Sequence, residues 1–207
     1  MFDRDEWHLE SRTRTETLLD VLRDRVQSMP EKILYTCISR EAAAEQITFS
    51  DLDVRARRLA YQLRSIAKGE ERVLLLYPDG VDYIVGLFAC FHARLIAVSG
   101  IRSQAVHSLE RFCAVVRDSQ AGVVLGPSRL LGEFQTALHP GGSHLRLKWV
   151  ASDRRPEGPL QYPDQPNLDG QSLALLQYTS GSTQSPRGVM LSHGNLLHNL
   201  AGQFRAF

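Results

Sequence analysis

The run Arg72-Val73-Leu74-Leu75-Leu76-Tyr77 constrains the fold more than any other stretch of the chain. A strand with one wet face alternates apolar and polar residues, whereas this one is apolar throughout and must be covered on both faces, as at the centre of a parallel sheet. Pro78-Asp79-Gly80 then turns the chain, and Val81, Ile84, Val85, Phe88 and Phe91 recur at helical spacing. Leu95-Ile96-Ala97-Val98 returns as a second apolar strand, which completes a βαβ unit.

The pattern repeats downstream. A helix is expected over about 103–119, a strand over 122–125, a helix over about 129–138 and a strand over 145–150. The predicted class is therefore α/β, with repeated βαβ units and a mainly parallel sheet flanked by helices. Upstream, Leu18, Leu22, Val26 and Met29 predict a helix stopped by Pro30, followed by two strands over 32–38 and 46–49. Ser50 is the expected cap of the next helix, with Asp53 completing a capping box. Its apolar face is Leu52, Ala56, Leu59, Leu63 and Ile66, and Arg55, Arg57, Arg58 and Arg64 are read as mostly its solvated side. Residues 1–14 lack periodicity and read as a flexible N-terminal arm, leaving 15–207 as one domain. Residues 152–171, with Pro156, Pro159, Pro163 and Pro166, read as a surface connection.

A formal net charge of +1, without a run of five like charges, gives no electrostatic case for nucleic acid or an anionic membrane. No apolar run approaches the roughly 18 residues of a membrane span. Cys37, Cys90 and Cys113 are an odd, widely spaced trio that suits neither a disulfide framework nor zinc, and the expected location is a reducing cytoplasm. Cys90 and Cys113 read as small core side chains. His193 and His198 are five apart, about 140° around a helix, and do not form a metal pair. His92, His107, His139 and His144 read as surface or locally bonded histidines. No Gly-x-Ser-x-Gly elbow occurs, and Ser180 has no identifiable base.

Chemistry concentrates in Thr179-Ser180-Gly181-Ser182-Thr183-Gln184-Ser185-Pro186-Arg187-Gly188, between the apolar runs 173–178 and 188–191. The segment carries five hydroxyls, two glycines and one guanidinium but no carboxylate, so donors are dense and nothing in it repels an anion. A nucleoside-triphosphatase P-loop is excluded, because six residues separate Gly181 from Gly188 and Val189 follows. By composition alone the segment reads as an ordinary surface loop. The order of its residues decides otherwise.

Residues 178–188 resemble the phosphate-binding signature of the adenylate-forming enzymes, the superfamily of AMP-dependent synthetases and ligases. Leu176-Gln177-Tyr178, Ser192-His193-Gly194-Asn195-Leu196-Leu197 and Glu71-Arg72-Val73-Leu74-Leu75-Leu76-Tyr77-Pro78 are similar to the fatty-acyl-AMP ligase branch. Gln184 stands where that pattern has a glycine, and Arg187 where it has a lysine. Ser99-Gly100-Ile101-Arg102 replaces a proline-bearing loop. The resemblance implies that Thr179, Ser180, Gly181, Ser182, Thr183, Arg187 and Gly188 contact the ATP phosphates. It further implies Mg²⁺ as cofactor, a fatty acid as substrate and an acyl carrier protein or carrier domain as acceptor. It runs from about Leu18 to Phe207 and covers only the first part of the family's N-terminal domain, an AMP-binding domain truncated after the phosphate loop. The adenine, ribose, Mg²⁺ and acyl subsites are expected beyond these residues, and the chain alone is expected to be inactive. Three readings follow: a portion of a fatty-acyl-AMP ligase, a non-catalytic remnant that binds a partner, or an adenylating enzyme for another carboxylic acid.

Overall fold

The computed structural model describes residues 16–38, 44–69, 71–78, 80–100, 109–138, 145–154, 167–179 and 186–206, the last with side chains to 203. The arm 1–14, most of the connection 152–171, and His107, His139 and His144 lie outside the described residues.

A capping box at Thr17 opens α1 (Leu18–Ser28): Thr17 N donates to Asp20 Oδ2 at 2.8 Å and Asp20 N to Thr17 Oγ1 at 3.3 Å. The hairpin β1 (Ile33–Cys37) and β2 (Glu45–Thr48) follows as a separate two-stranded sheet. The helix α2 (Phe49–Ile66) begins earlier than expected and is capped by Thr48, not Ser50: Asp51 N donates to Thr48 Oγ1 at 3.1 Å. Phe49, expected at the end of the strand, is instead the first buried residue of the helix. Thr48 already holds the extended conformation a cap needs, so the start moves forward by two residues.

The remaining elements are β3 (Arg72–Leu75), α3 (Val81–Ala93), β4 (Ile96–Ser99), α4 (Leu109–Ser119), β5 (Val123–Gly126), α5 (Ser128–Leu138), β6 (Lys148–Ala151), β7 (Leu173–Tyr178), β8 (Gly188–Ser192) and α6 (His193–Ala206). The six-stranded sheet has the order β6-β5-β3-β4-β7-β8, with every pair parallel except β7 and β8. This is the mainly parallel α/β class read from the apolar strands.

Side chains alternate between the two faces as the strand repeat demands. Val73, Leu75, Ala97 and Val123 pack with residues of α1, α2 and α3, including Leu22, Leu52, Leu63 and Val85. Leu74, Leu76, Val98 and Val124 pack with Phe112 and Val115 of α4 and Leu131 and Phe134 of α5. Fully burying one such leucine stabilises by about 2 kcal/mol, so both faces of β3 hold the sheet together. Stacking of Phe112 on Trp149 at 6.1 Å and its tilted contact with Phe134 at 5.0 Å close the second face.

The helix after β3 covers one face and the helix after β4 covers the other. The chain thus reverses its direction across the sheet between these neighbours. In open α/β sheets ligands bind beyond the carboxyl ends of the strands at such a reversal.

Two of the arginines read as solvated are engaged. Arg57 Nε donates to Asp53 Oδ2 at 2.7 Å, and Arg55 pairs with Asp82 at 2.6 Å, while Arg58 and Arg64 are exposed. His92 is buried, with Nε2 3.3 Å from Asp53 Oδ1 of α2, so it is neither a surface residue nor paired within its own segment. Burial alone would raise the Asp53 pKa, but hydrogen bonds from His92 and Arg57 outweigh it and hold the carboxyl below its ordinary value. Cys90 is buried in the core as expected, and desolvation pushes its thiol pKa up.

Candidate functional site

The loop of hydroxyl residues joins β7 to β8 at the carboxyl end of the parallel sheet. Its root is fixed by strand pairing, since Tyr178 and Gly188 are partners in the antiparallel register. Thr179, Pro186, Arg187 and Gly188 are described, whereas Ser180, Gly181, Ser182, Thr183, Gln184 and Ser185 lie outside the described residues.

Tyr178 organises the root. Its hydroxyl donates a short hydrogen bond to Asp118 Oδ2 at the end of α4. Burial and the Asp118 carboxylate both push the phenol pKa up, so the proton stays on Tyr178. The ring leaves no space beside Gly188, where an added Cβ would stand 2.8 Å from Tyr178 Cζ. On the other side Gly100, at φ +115°, passes the Tyr178 carbonyl so closely that a Cβ would meet its oxygen at 2.1 Å. The departure at Ser99-Gly100 therefore has a structural reason: β4 ends against the backbone of the loop root.

Arg111 of α4 was not legible as part of this region. Its Nη2 donates to the Thr179 carbonyl oxygen at 2.9 Å and ties the loop's first residue to the helix over the second face. A polar residue on an amphipathic helix carries no signal of such a long-range contact. Arg187 is exposed, and its side chain forms no ion pair or hydrogen bond among the described residues. Among the described residues its guanidinium is therefore uncommitted at the end of a segment without carboxylates, and a second guanidinium, that of Arg111, is bonded to the first residue of that segment. The arrangement suits capture of a multiply charged oxyanion.

The base of β7 is equally well fixed. Asp169 accepts from Ser172 Oγ at 2.8 Å and from Ser172 N at 2.9 Å, and these bonds hold its carboxyl pKa low. Gly194 N donates to Gly170 O at 2.7 Å, which anchors the start of α6. Ser192 caps that helix as expected, with Asn195 N donating to Ser192 Oγ at 3.2 Å and Ser192 N to Asn195 Oδ1 at 3.0 Å. His193 is 1 % exposed, accepts from Leu18 N at 3.4 Å and meets the Phe91 ring at 4.8 Å. Burial lowers its pKa to about 4, so it is a neutral packing group near pH 7.

Among the described residues no cluster of three His, Cys, Asp or Glu side chains could hold a metal ion. Nor is any described helix long and apolar enough to cross a membrane.

Residues 22–206 match the family described as AMP-binding enzyme. The medium-chain-fatty-acid–[acyl-carrier-protein] ligase JamA of Moorena producens is 33% identical over 194 residues, covering 91% of this chain and 33% of the relative. The long-chain-fatty-acid–AMP ligase FadD23 of Mycobacterium tuberculosis is 34% identical over 194 residues, covering 90% of this chain and 33% of the relative. Among solved structures, the fatty acyl-adenylate ligase of L. pneumophila in complex with acyl adenylate and pyrophosphate superposes with a TM-score of 0.81 at 31% identity, over 92% of this chain and 33% of that one. The chain spans about a third of the length of these relatives.

Proposed function

The chain belongs to the AMP-binding enzyme family, and from that premise we propose that it forms the phosphate-binding portion of a fatty-acyl-AMP ligase. In that reaction a fatty-acid carboxylate attacks the α-phosphorus of ATP, the bond to the bridging oxygen breaks, and pyrophosphate leaves with its electrons. Acyl-adenylate then passes its acyl group to a carrier-protein thiol. The observation that carries the proposal is the rooted loop: Thr179 held by Arg111, Gly188 fitted against Tyr178, and Arg187 exposed and without an ion pair or hydrogen bond among the described residues.

Thr179, Ser180, Gly181, Ser182, Thr183, Arg187 and Gly188 are proposed to cradle the β- and γ-phosphates. Charge grows on pyrophosphate as it departs, and fixed donors aimed at that charge lower the barrier without reorganising. Arg187 would supply the cation. ATP brings its own Mg²⁺ as substrate. The names of the similar ligases support fatty acid as the acid and a carrier protein as acceptor.

The test is a chimera in which residues 22–206 replace the aligned third of the Moorena producens ligase. Fatty-acid-dependent exchange of pyrophosphate into ATP is expected. A folded chimera that binds fatty acid but shows no exchange refutes the proposal. The 207-residue chain by itself is expected to give no hydroxylamine-trapped acyl-adenylate.

A further inference from the structure

A cavity of about 230 Å³ opens at the same end of the sheet as the loop, on the face covered by α2 and α3. Tyr77, just beyond β3, forms its floor; Arg58 and Gln62 of α2 form one wall, and Ser152 and Arg154, just beyond β6, form another. The strand β4 lies between β3 and β7, and Tyr77 and Tyr178 pack on opposite faces of the sheet. The cavity is therefore separate from the loop rooted at Tyr178.

Two buried polar atoms there lack partners. Tyr77 is 4 % exposed, and neither its hydroxyl nor Gln62 Oε1 has a hydrogen bond among the described residues. Ser152 acts on the Tyr77 hydroxyl from the cavity wall without completing a hydrogen bond of normal geometry. Burial pushes the Tyr77 pKa up, so the group remains a proton donor. Folded proteins rarely leave such groups unpaired, because each has given up water without replacement. The ring cannot swing away, since it packs so closely on α3 that a Cβ at Gly86 would stand 2.8 Å from it.

The charges on the rim are unevenly committed. Arg55 is paired with Asp82 at 2.6 Å, and Asp153 accepts from Ser128 N at 3.0 Å and from the Ser128 hydroxyl. That leaves Arg58 and Arg154, which form no ion pair among the described residues. Among the lining residues three guanidinium groups face two carboxylates, beside a hydroxyl with no hydrogen bond among the described residues, and Glu45, outside the lining, lies 3.7 Å from Arg55.

We propose that this cavity binds a small oxyanion, a phosphate or carboxylate group, which accepts from the Tyr77 hydroxyl and is held by Arg58 and Arg154. A guanidinium presents a planar fork to either group, and the apolar Leu59 and Val85 leave room for a short carbon skeleton behind it.

Thermal unfolding of the 207-residue chain in rising inorganic phosphate, against sodium chloride at equal ionic strength, tests this. Succinate forms a parallel arm that separates a carboxylate ligand from a phosphate one. Binding to the native state raises the midpoint along a saturable curve, whereas general salting effects rise without saturating and persist in every variant. A saturable rise in either arm is expected. The double variant Arg58→Ala/Arg154→Ala should weaken it at least about tenfold, and Tyr77→Phe several-fold, as loss of a charge-assisted hydrogen bond implies. Arg64→Ala, exposed on α2 and not lining the cavity, should leave the curve unchanged, whereas Arg187→Ala removes only what the loop contributes. Absence of saturation in both arms, full retention in the double variant, or loss only in Arg187→Ala overturns the proposal.

Discussion

Replacing Gly100 by alanine is the sharpest test of how the loop root is built. The added Cβ would lie 2.1 Å from Tyr178 O, 2.8 Å from Tyr178 C and 2.7 Å from Tyr178 Cβ, and two of these neighbours are backbone that cannot rotate away. The residue also sits at φ +115°, outside the regions an L side chain tolerates. Holding a non-glycine residue there costs about 1 to 3 kcal/mol. Displacing packed backbone adds about 1 to 3 kcal/mol, so a loss of roughly 2 to 6 kcal/mol is expected. In a chain of this size each kcal/mol moves the midpoint by about 2 to 4 °C. Thermal unfolding followed by circular dichroism should therefore shift down by roughly 4 to 24 °C. Gly132→Ala is the control: it lies inside α5 with nothing within 4 Å, and alanine there should stabilise by about 0.5 to 1 kcal/mol. A Gly100→Ala protein that unfolds within about a degree of the parent would refute the view that β4 must pass the Tyr178 carbonyl at this distance.

Arg187→Ala, in the chimera, should lower the rate of pyrophosphate exchange by about one to two orders of magnitude at fixed ATP and leave acyl chain-length preference unchanged. Arg187→Lys should recover part of that loss, because charge returns without the planar fork; unchanged ATP dependence in the alanine variant would mean the residue does not touch phosphate. His193 sets a pH dependence. Its folded pKa, about 4, lies below the ordinary 6.5, so between these values the unfolded chain binds a proton that the native one does not. Stability should be full above about pH 6.5, fall as pH drops towards 4, and lose at most about 3 kcal/mol there. Denaturant midpoints measured across that range, with His193→Gln flattening the slope, check it. Finally, β8 is an edge strand whose Val189 and Met190 are 51 % and 67 % exposed, and Leu200 of α6 is 46 % exposed. The isolated chain should self-associate in light scattering, and Met190→Lys should reduce this.

The sheet was legible because its central strands are buried twice. Val73 to Leu76 leave no polar position for solvent, and the helical spacing from Val81 to Phe91 fixes how they connect. The start of α2 was not, because Thr48 and Ser50 are both competent caps. Only burial of Phe49 distinguishes them. His92 was misjudged in part for a related reason: its partner Asp53 lies 39 positions away on another helix, and spacing along one element cannot reveal it. Nor does composition explain the hairpin, where Ile33, Leu34 and Tyr35 are apolar yet substantially exposed.

The loop shows the same division at the scale of function. Its hydroxyls, glycines and guanidinium could be read as phosphate chemistry from order alone, but donors on a loop discriminate a transition state only if their base does not move with the ligand. That base is assembled from distant segments. Gly100 ends β4 against Tyr178, Asp118 and Arg111 reach in from α4, and Gly188 closes the pair across the hairpin. Each contact holds Tyr178 or Thr179, the two residues from which the loop departs. Tyr178→Phe should thus act on the loop indirectly. The ring that packs on Gly188 stays, while the bond to Asp118 is lost and that carboxylate is left without its donor. A neutral bond of this kind contributes about 1 kcal/mol, and one to a carboxylate about 1.5 to 3. In the chimera the loss should slow exchange by several-fold at saturating ATP, since positioning of the leaving group suffers more than its capture. Equal effects on ATP affinity and turnover would instead mean that Tyr178 serves the fold alone.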